Sequence, residues 1–200
     1  GEEYLESLRD GRHLWLLGQQ VEDVTTHPAL AGCARSVAAV YDLQHDPMHQ
    51  DLLTMPSPTT GLRVSLAYLL PRSVNDLARQ RQMYEFLVRR AGGVAARLPQ
   101  HLATVVIGLY DVRDLLGEVD PAFASHVTRY VEYCREHDVS IGTIFTDPLR
   151  HRHHPTTDQE HLRVVERRPD GLIVRGARGV GTQAPYANEL FAAPGQPSFF

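Results

Sequence analysis

DPAFASHVTRYVEYCREHDVSIGTIFTDP, residues Asp120 to Pro148, is the stretch on which the fold turns. Asp120 followed by Pro121 reads as an N-cap with proline in the first helical turn, where its missing N–H costs nothing. Phe123, Val127, Tyr130, Val131 and Cys134 then recur at helical spacing, which predicts one inward-facing stripe. At Asp138 the period falls from 3.6 to 2, and Val139–Phe145 is expected to be a strand. The chain before this point reads as helical and the chain after it as β. The fold class expected is therefore α+β. Residues 1–138 form a helical domain with a short hairpin near 12–24, and residues 139–200 begin an antiparallel β domain.

Upstream, RHLWLL turns at Gly18 into QQVEDV, the expected hairpin. Pro28 opens a helix in which Leu30, Cys33, Val37, Val40 and Tyr41 fall on one face. Pro47, Pro56, Pro58 and Gly61 make residues 45–61 a loop, and Arg63–Leu70 reads as a brief extended segment or a loop end. Ser73 with Asp76 caps a helix whose buried face is Leu77, Met83, Tyr84, Leu87 and Val88, stopped at Gly92-Gly93. Pro99 starts the next helix, to about Leu116. Its HLATVVIGLY centre is apolar on most sides and predicts a place in the middle of a bundle. Downstream, His161–Arg167 and Leu172–Arg178 are strands about the turn Pro169-Asp170-Gly171, and Glu189–Ala193 is a further strand. Four short strands close poorly into a barrel and leave open edges, so the β part reads as unfinished: a fragment, or one completed by a partner.

All 20 basic residues are arginine. With no lysine there is no Schiff-base nucleophile, no Walker A loop and no kinase β3 lysine. The 24 acids are interleaved with the arginines and leave a net charge of −4, which argues against a nucleic-acid binder. No apolar run approaches membrane-spanning length, and the polar, acidic N-terminal segment is no signal peptide. Cys33 and Cys134 both sit in apolar helical patterns and read as reduced core thiols. A cytoplasmic protein is expected.

Longer motifs go beyond pattern. YLESLRDGRHLWLLGQQVEDVTTHPAL, VYDLQHDP, LLPRSVNDLARQRQMYEF, RYVEYCREHD and DGLIVRGARGVGTQAPYANELF follow one another along the chain. In that order they resemble the 4-hydroxyphenylacetate 3-monooxygenase family, the oxygenase half of two-component flavin monooxygenases. That family is similar in fold to acyl-CoA dehydrogenases, with a helical N-terminal domain, a middle β domain and a C-terminal helical bundle. Its members are more than twice this length, so the likeness covers their front part. The resemblance implies FAD, supplied reduced by a separate flavin reductase, with O2 as co-substrate. It implies a flavin hydroperoxide that hydroxylates an aromatic substrate, and a homo-oligomer, a tetramer, at full length. It implies no nucleic-acid or membrane partner.

The resemblance also assigns residues. Arg97 matches a pocket arginine whose fixed charge could stabilise a phenolate. His101 stands where the family has Tyr, and histidine, unlike tyrosine, titrates near neutral pH. Thr143 stands where the family has its catalytic His, and threonine is no general base. These two departures point away from a simple phenol, toward an amine nitrogen, an indole or a carrier-tethered aromatic. Arg150, Arg152, Thr156, Thr157 and Gln159 match the flavin-contacting loop, the arginines suited to the pyrophosphate. Thr182 matches a threonine facing the flavin ring. The plainer reading is a solvated polar loop or, for Arg97, a helix-end charge. His151, His153, His154 and His161 fit no standard zinc spacing, and no metal is expected. Two alternatives stay open: a non-catalytic truncated or split chain acting as a structural partner, and a flavin dehydrogenase of the same fold.

Overall fold

The computed structural model describes residues 1–93, 98–146 and 162–192. The decisive stretch folds as its periodicity requires. Helix α7 spans Pro121–Glu136, with the Asp120 carboxylate accepting the Ala122 N–H at 2.9 Å. The helix stops because Asp138 turns into the left-handed region at φ +47°, a conformation aspartate tolerates better than most residues. The Val139 N–H then reaches back to the Cys134 carbonyl at 3.1 Å, satisfying an end carbonyl. Strand β5, Ile141–Ile144, leaves at once.

Before α7 the described elements are α1 (Glu2–Ser7), the hairpin β1 (Leu14–Leu16) and β2 (Gln19–Val21), and α2 (Ala31–Asp42). They are followed by α3 (Gln50–Leu53), the pair β3 (Thr54–Pro56) and β4 (Arg63–Ser65), α4 (Val74–Arg90), α5 (Ala103–Asp111) and α6 (Arg113–Val119). After β5 come the antiparallel hairpin β6 (Arg163–Arg168) and β7 (Gly171–Arg175), then β8 (Glu189–Ala192). β8 pairs with β5 in parallel, Thr143 opposite Phe191.

One core gathers Leu53, Leu66, Met83, Leu87, Val106 and Ile141, so β5 is rooted among the helices. A satellite core joins α1 to α2 through Tyr4, Leu8, Ala34, Val37 and Tyr41. Burying Tyr4 and Leu8 stabilises this contact by roughly 1.5–3 kcal/mol for each large side chain. A polar clamp sits where α7 ends. The Glu136 carboxylate accepts from Ser57 Oγ at 2.6 Å, Thr60 Oγ1 at 2.8 Å and Arg135 Nε at 2.8 Å. Burial raises the Glu136 pKa, but the hydrogen bonds outweigh it and hold it below the usual glutamate range.

Several expectations need correcting. α1, α3 and β3 arise where no element was expected, because tertiary contacts order segments too short to signal themselves, while β4 falls at the start of the Arg63–Leu70 segment read as extended or a loop end. The helix expected over 99–116 is a 3-10 turn, Pro99–Leu102, followed by α5 and α6 with a break at Val112. α5 is not apolar all round: Thr104 and Gly108 face outward. Leu77 (55% exposed) and Phe123 (42%) lie outside the core, as does Cys33, whereas Cys134 is fully buried.

Candidate active site

Three of the expected site residues fall within the described residues, on or near β5. Thr143 lies on it, half-buried. The 3-10 turn Pro99–Leu102 packs beside β5 and carries His101, whose side chain is exposed. That turn is braced from α4: Tyr84 Oη donates to the Gln100 carbonyl at 3.1 Å and lies 3.1 Å from Thr104 Oγ1. Tyr84 was read as a core aromatic; no spacing signal marks the bond its hydroxyl makes.

A strap running from Gly179 to Asn188 covers β5. The Gly179 N–H donates to the Thr146 carbonyl at 2.6 Å, and the Asn188 N–H to the Ser140 carbonyl at 2.8 Å. Ser140 N–H returns a bond to Asn188 Oδ1 at 3.1 Å. Between these ends the approach is close. A Cβ on Gly181 would lie 2.8 Å from Ile144 Cγ2 and 4.0 Å from the Thr143 carbonyl oxygen. A Cβ on Gly142 would meet Leu190 at 3.0 Å and Ala187 at 3.2 Å. Thr182 follows Gly181 on this closely packed stretch of the strap, with its side chain exposed. The strap is also gripped from the N-terminal segment. Tyr4 Oη donates to the Tyr186 carbonyl at 2.7 Å, Arg12 Nη1 to the Pro185 carbonyl at 2.9 Å, and Asn188 Nδ2 to Ser7 Oγ at 2.7 Å.

Behind the site, Tyr130 on α7 donates to Glu189 Oε2 at 2.7 Å, fixing the start of β8. Burial, and then the Glu189 carboxylate, push the Tyr130 phenol well above its ordinary pKa. Burial likewise pushes the Cys134 thiol up to about 11. Tyr130 is half-buried and Tyr41 buried, in keeping with their inward stripes.

Of the expected site residues, Thr143 lies on β5, His101 on the turn packed beside it, and Thr182 on the strap next to Gly181, which packs on Ile144. Arg97, Arg150, Arg152, Thr156, Thr157 and Gln159, and the histidines at 151, 153, 154 and 161, lie outside the described residues. Among the described residues no group of three or more His, Cys, Asp or Glu could hold a metal ion. The donor set around β5 consists of two hydroxyls and an imidazole. Hydroxyl and imidazole groups can hydrogen-bond the carbonyl and N–H edges of an isoalloxazine ring.

A helical front that runs through α7 into a buried strand, with a polar strap across that strand, defines the front part of an acyl-CoA dehydrogenase-like fold. Within that class, the chain belongs to the family described as 4-hydroxyphenylacetate 3-hydroxylase N terminal, which matches residues 1–199. It is 35% identical to the 4-hydroxyphenylacetate 3-monooxygenase oxygenase component of Geobacillus sp. (strain PA-9), over 97% of this chain and 40% of the relative. It is 36% identical to the oxygenase component of 4-nitrophenol 4-monooxygenase/4-nitrocatechol 2-monooxygenase of Rhodococcus opacus, over 99% of this chain and 40% of the relative. Among solved structures, it matches the oxygenase component HpaB of 4-hydroxyphenylacetate 3-monooxygenase complexed with FAD and 4-hydroxyphenylacetate. That match has a TM-score of 0.83 and 34% identity, and it covers 96% of this chain and 40% of the other. The chain thus spans about 40% of the length of these relatives. Among the described residues no helix is long and apolar enough to cross a membrane.

Proposed function

We propose that this chain forms the substrate- and flavin-facing front of the oxygenase component of a two-component aromatic monooxygenase. Reduced FAD, delivered by a separate flavin reductase, would supply the oxygen-activating chemistry when bound. What supports the reading is the packing of the His101-bearing turn beside β5 and of Gly181, the neighbour of Thr182, on Ile144, in a chain of this family.

The chain's own residues bind and orient. Thr182 offers its hydroxyl to the flavin ring from the strap. Thr143 orients the aromatic acceptor through its hydroxyl and moves no proton at neutral pH. His101 supplies the imidazole at the rim of the same strand, accepting or donating one hydrogen bond. Arg97 is assigned to the substrate's negative charge, and Arg150 and Arg152 to the flavin pyrophosphate. Thr156, Thr157 and Gln159 are assigned to the flavin ring and ribityl chain. With Thr143 and His101 in the pocket, an indole, an amine-bearing aromatic or a carrier-tethered aromatic fits the acceptor position as well as a phenol. The same reading assigns residues 1–138 and 139–200 to two domains, and the enzyme to the cytoplasm as a homo-oligomer.

One observation favours a second reading, a binding partner without activity. β6 and β7 pair chiefly with each other and leave Val165, Leu172 and Val174 exposed. Reconstitution with a flavin reductase, NADH, oxygen and a panel of phenols, indoles and aromatic amines separates the two. A product heavier by one oxygen atom supports the monooxygenase. Unchanged masses across the whole panel would remove it.

A further inference from the structure

The segment YLESLRDGRH has no part in the site as assigned so far, yet it holds the strap at three points. Tyr4 is buried, stacked against Tyr41 at 5.0 Å between ring centroids, and its hydroxyl donates to the Tyr186 carbonyl. Arg12 is held in a fork by Asp10, Nε to Oδ1 at 2.8 Å and Nη2 to Oδ2 at 2.7 Å. This two-point pairing pre-orients the guanidinium, and the remaining Nη1 reaches the Pro185 carbonyl. Ser7 Oγ spends its proton on the Tyr4 carbonyl at 2.7 Å, which leaves its lone pairs to accept from Asn188 Nδ2. The three grips fall on Pro185, Tyr186 and Asn188, at and just beyond the 3-10 turn Ala184–Tyr186. Thr182 is three residues upstream of Pro185.

We propose that Tyr4, Ser7 and Arg12 are positioning residues for the flavin site, a latch that fixes the Ala184–Tyr186 turn and so holds Thr182 against β5. The inference rests on the flavin reading of Thr182. Other bonds of the strap run to Thr146 and Ser140, which flank β5, and Tyr186 also packs against the satellite core. The latch adds directed hydrogen bonds from α1 and the turn after it, which fix the strap's carbonyls relative to the helices and not only to its own strand.

The test compares the unmodified chain with Tyr4→Phe, Ser7→Ala, Arg12→Gln and the Tyr4→Phe/Arg12→Gln pair, with Ser7→Thr as the conservative control. Two quantities are read: amide hydrogen exchange across residues 179–189, with α2 amides as internal reference, and FAD affinity by equilibrium titration. The pair of substitutions should speed strap exchange at least tenfold, leave α2 within about twofold, and weaken FAD binding about fivefold or more. Ser7→Thr should behave as the unmodified chain. Unchanged strap exchange would overturn the latch. So would strap exchange that rises with FAD affinity unaltered, or exchange that rises equally in α2, which marks general stability. An unmodified chain that binds no FAD would count against the monooxygenase reading, while the exchange data still judge the latch on their own.

Discussion

Gly181 and Ile144 meet with no room for a side chain between them: a Cβ on Gly181 would sit 2.8 Å from Ile144 Cγ2, with Ala184 Cβ at 3.3 Å on the other side. This contact sets how closely the strap residue before Thr182 approaches β5. Gly181→Ala forces the strap or Ile144 aside, and overpacking of this kind costs about 1–3 kcal/mol. Urea denaturation should show a lower midpoint with an unchanged m-value. A midpoint equal to that of the unmodified chain would mean the strap is looser than the geometry says.

Asp138 gives the fold a pH dependence with a definite sign. Burial lifts its carboxyl from 3.8 to about 6, against the opposing hydrogen bond from Gln44 Nε2 at 2.6 Å and the charge of His45. The folded chain therefore binds this proton more tightly than the unfolded chain. The contribution is complete below about pH 4 and is lost as pH rises through about 6. Asp138→Asn keeps an acceptor for Gln44 and tolerates the left-handed backbone. It should be more stable than the unmodified chain at pH 7.5 by about 1–2 kcal/mol, with the difference vanishing at pH 4. Parallel pH profiles for the two proteins would refute this.

The two thiols should separate cleanly. Cys33 is exposed, while Cys134 is fully buried with its thiol pushed up to about 11. Only the thiolate reacts. An aromatic disulfide reagent at pH 8 should consume one equivalent quickly and the second only in denaturant. Two fast equivalents under native conditions would show that Cys134 is not sealed in the core.

Thr143→His restores a titratable group on β5 beside the His101 turn. If Thr143 lines the substrate pocket, affinity for 4-hydroxyphenylacetate should rise about tenfold, equivalent to about 1.4 kcal/mol. Isothermal titration with the flavin-loaded protein reads this directly. No gain would count against Thr143 as a pocket residue.

Much of this architecture was legible because local signals and tertiary packing agree. Asp120-Pro121 and the inward stripe of Val131 and Cys134 mark α7, and the change of period at Asp138 coincides with its left-handed stop. The signal failed where burial is decided by distant elements. Cys33 and Leu77 carry apolar spacing yet face outward, since no spacing rule says which turn of a helix its neighbours cover. The site was legible only as motif likeness. Which strand Thr182 approaches depends on a parallel pairing of β5 with β8 and on two glycines, and neither leaves a trace in hydrophobic period. Tyr84 and Tyr4 were hidden for another reason. Each looks like a core aromatic from its ring, and only the fold reveals what its hydroxyl reaches.

The parallel pairing of β5 and β8 also orders events in time. Ile141 finds Glu189 only after the 47 residues between them have closed into a loop, whereas α4 to α7 assemble from near neighbours. Closure of so long a loop carries an entropy cost that local helices escape, and contacts distant in sequence form slowly. The β5–β8 pairing is therefore expected to form after the local helices.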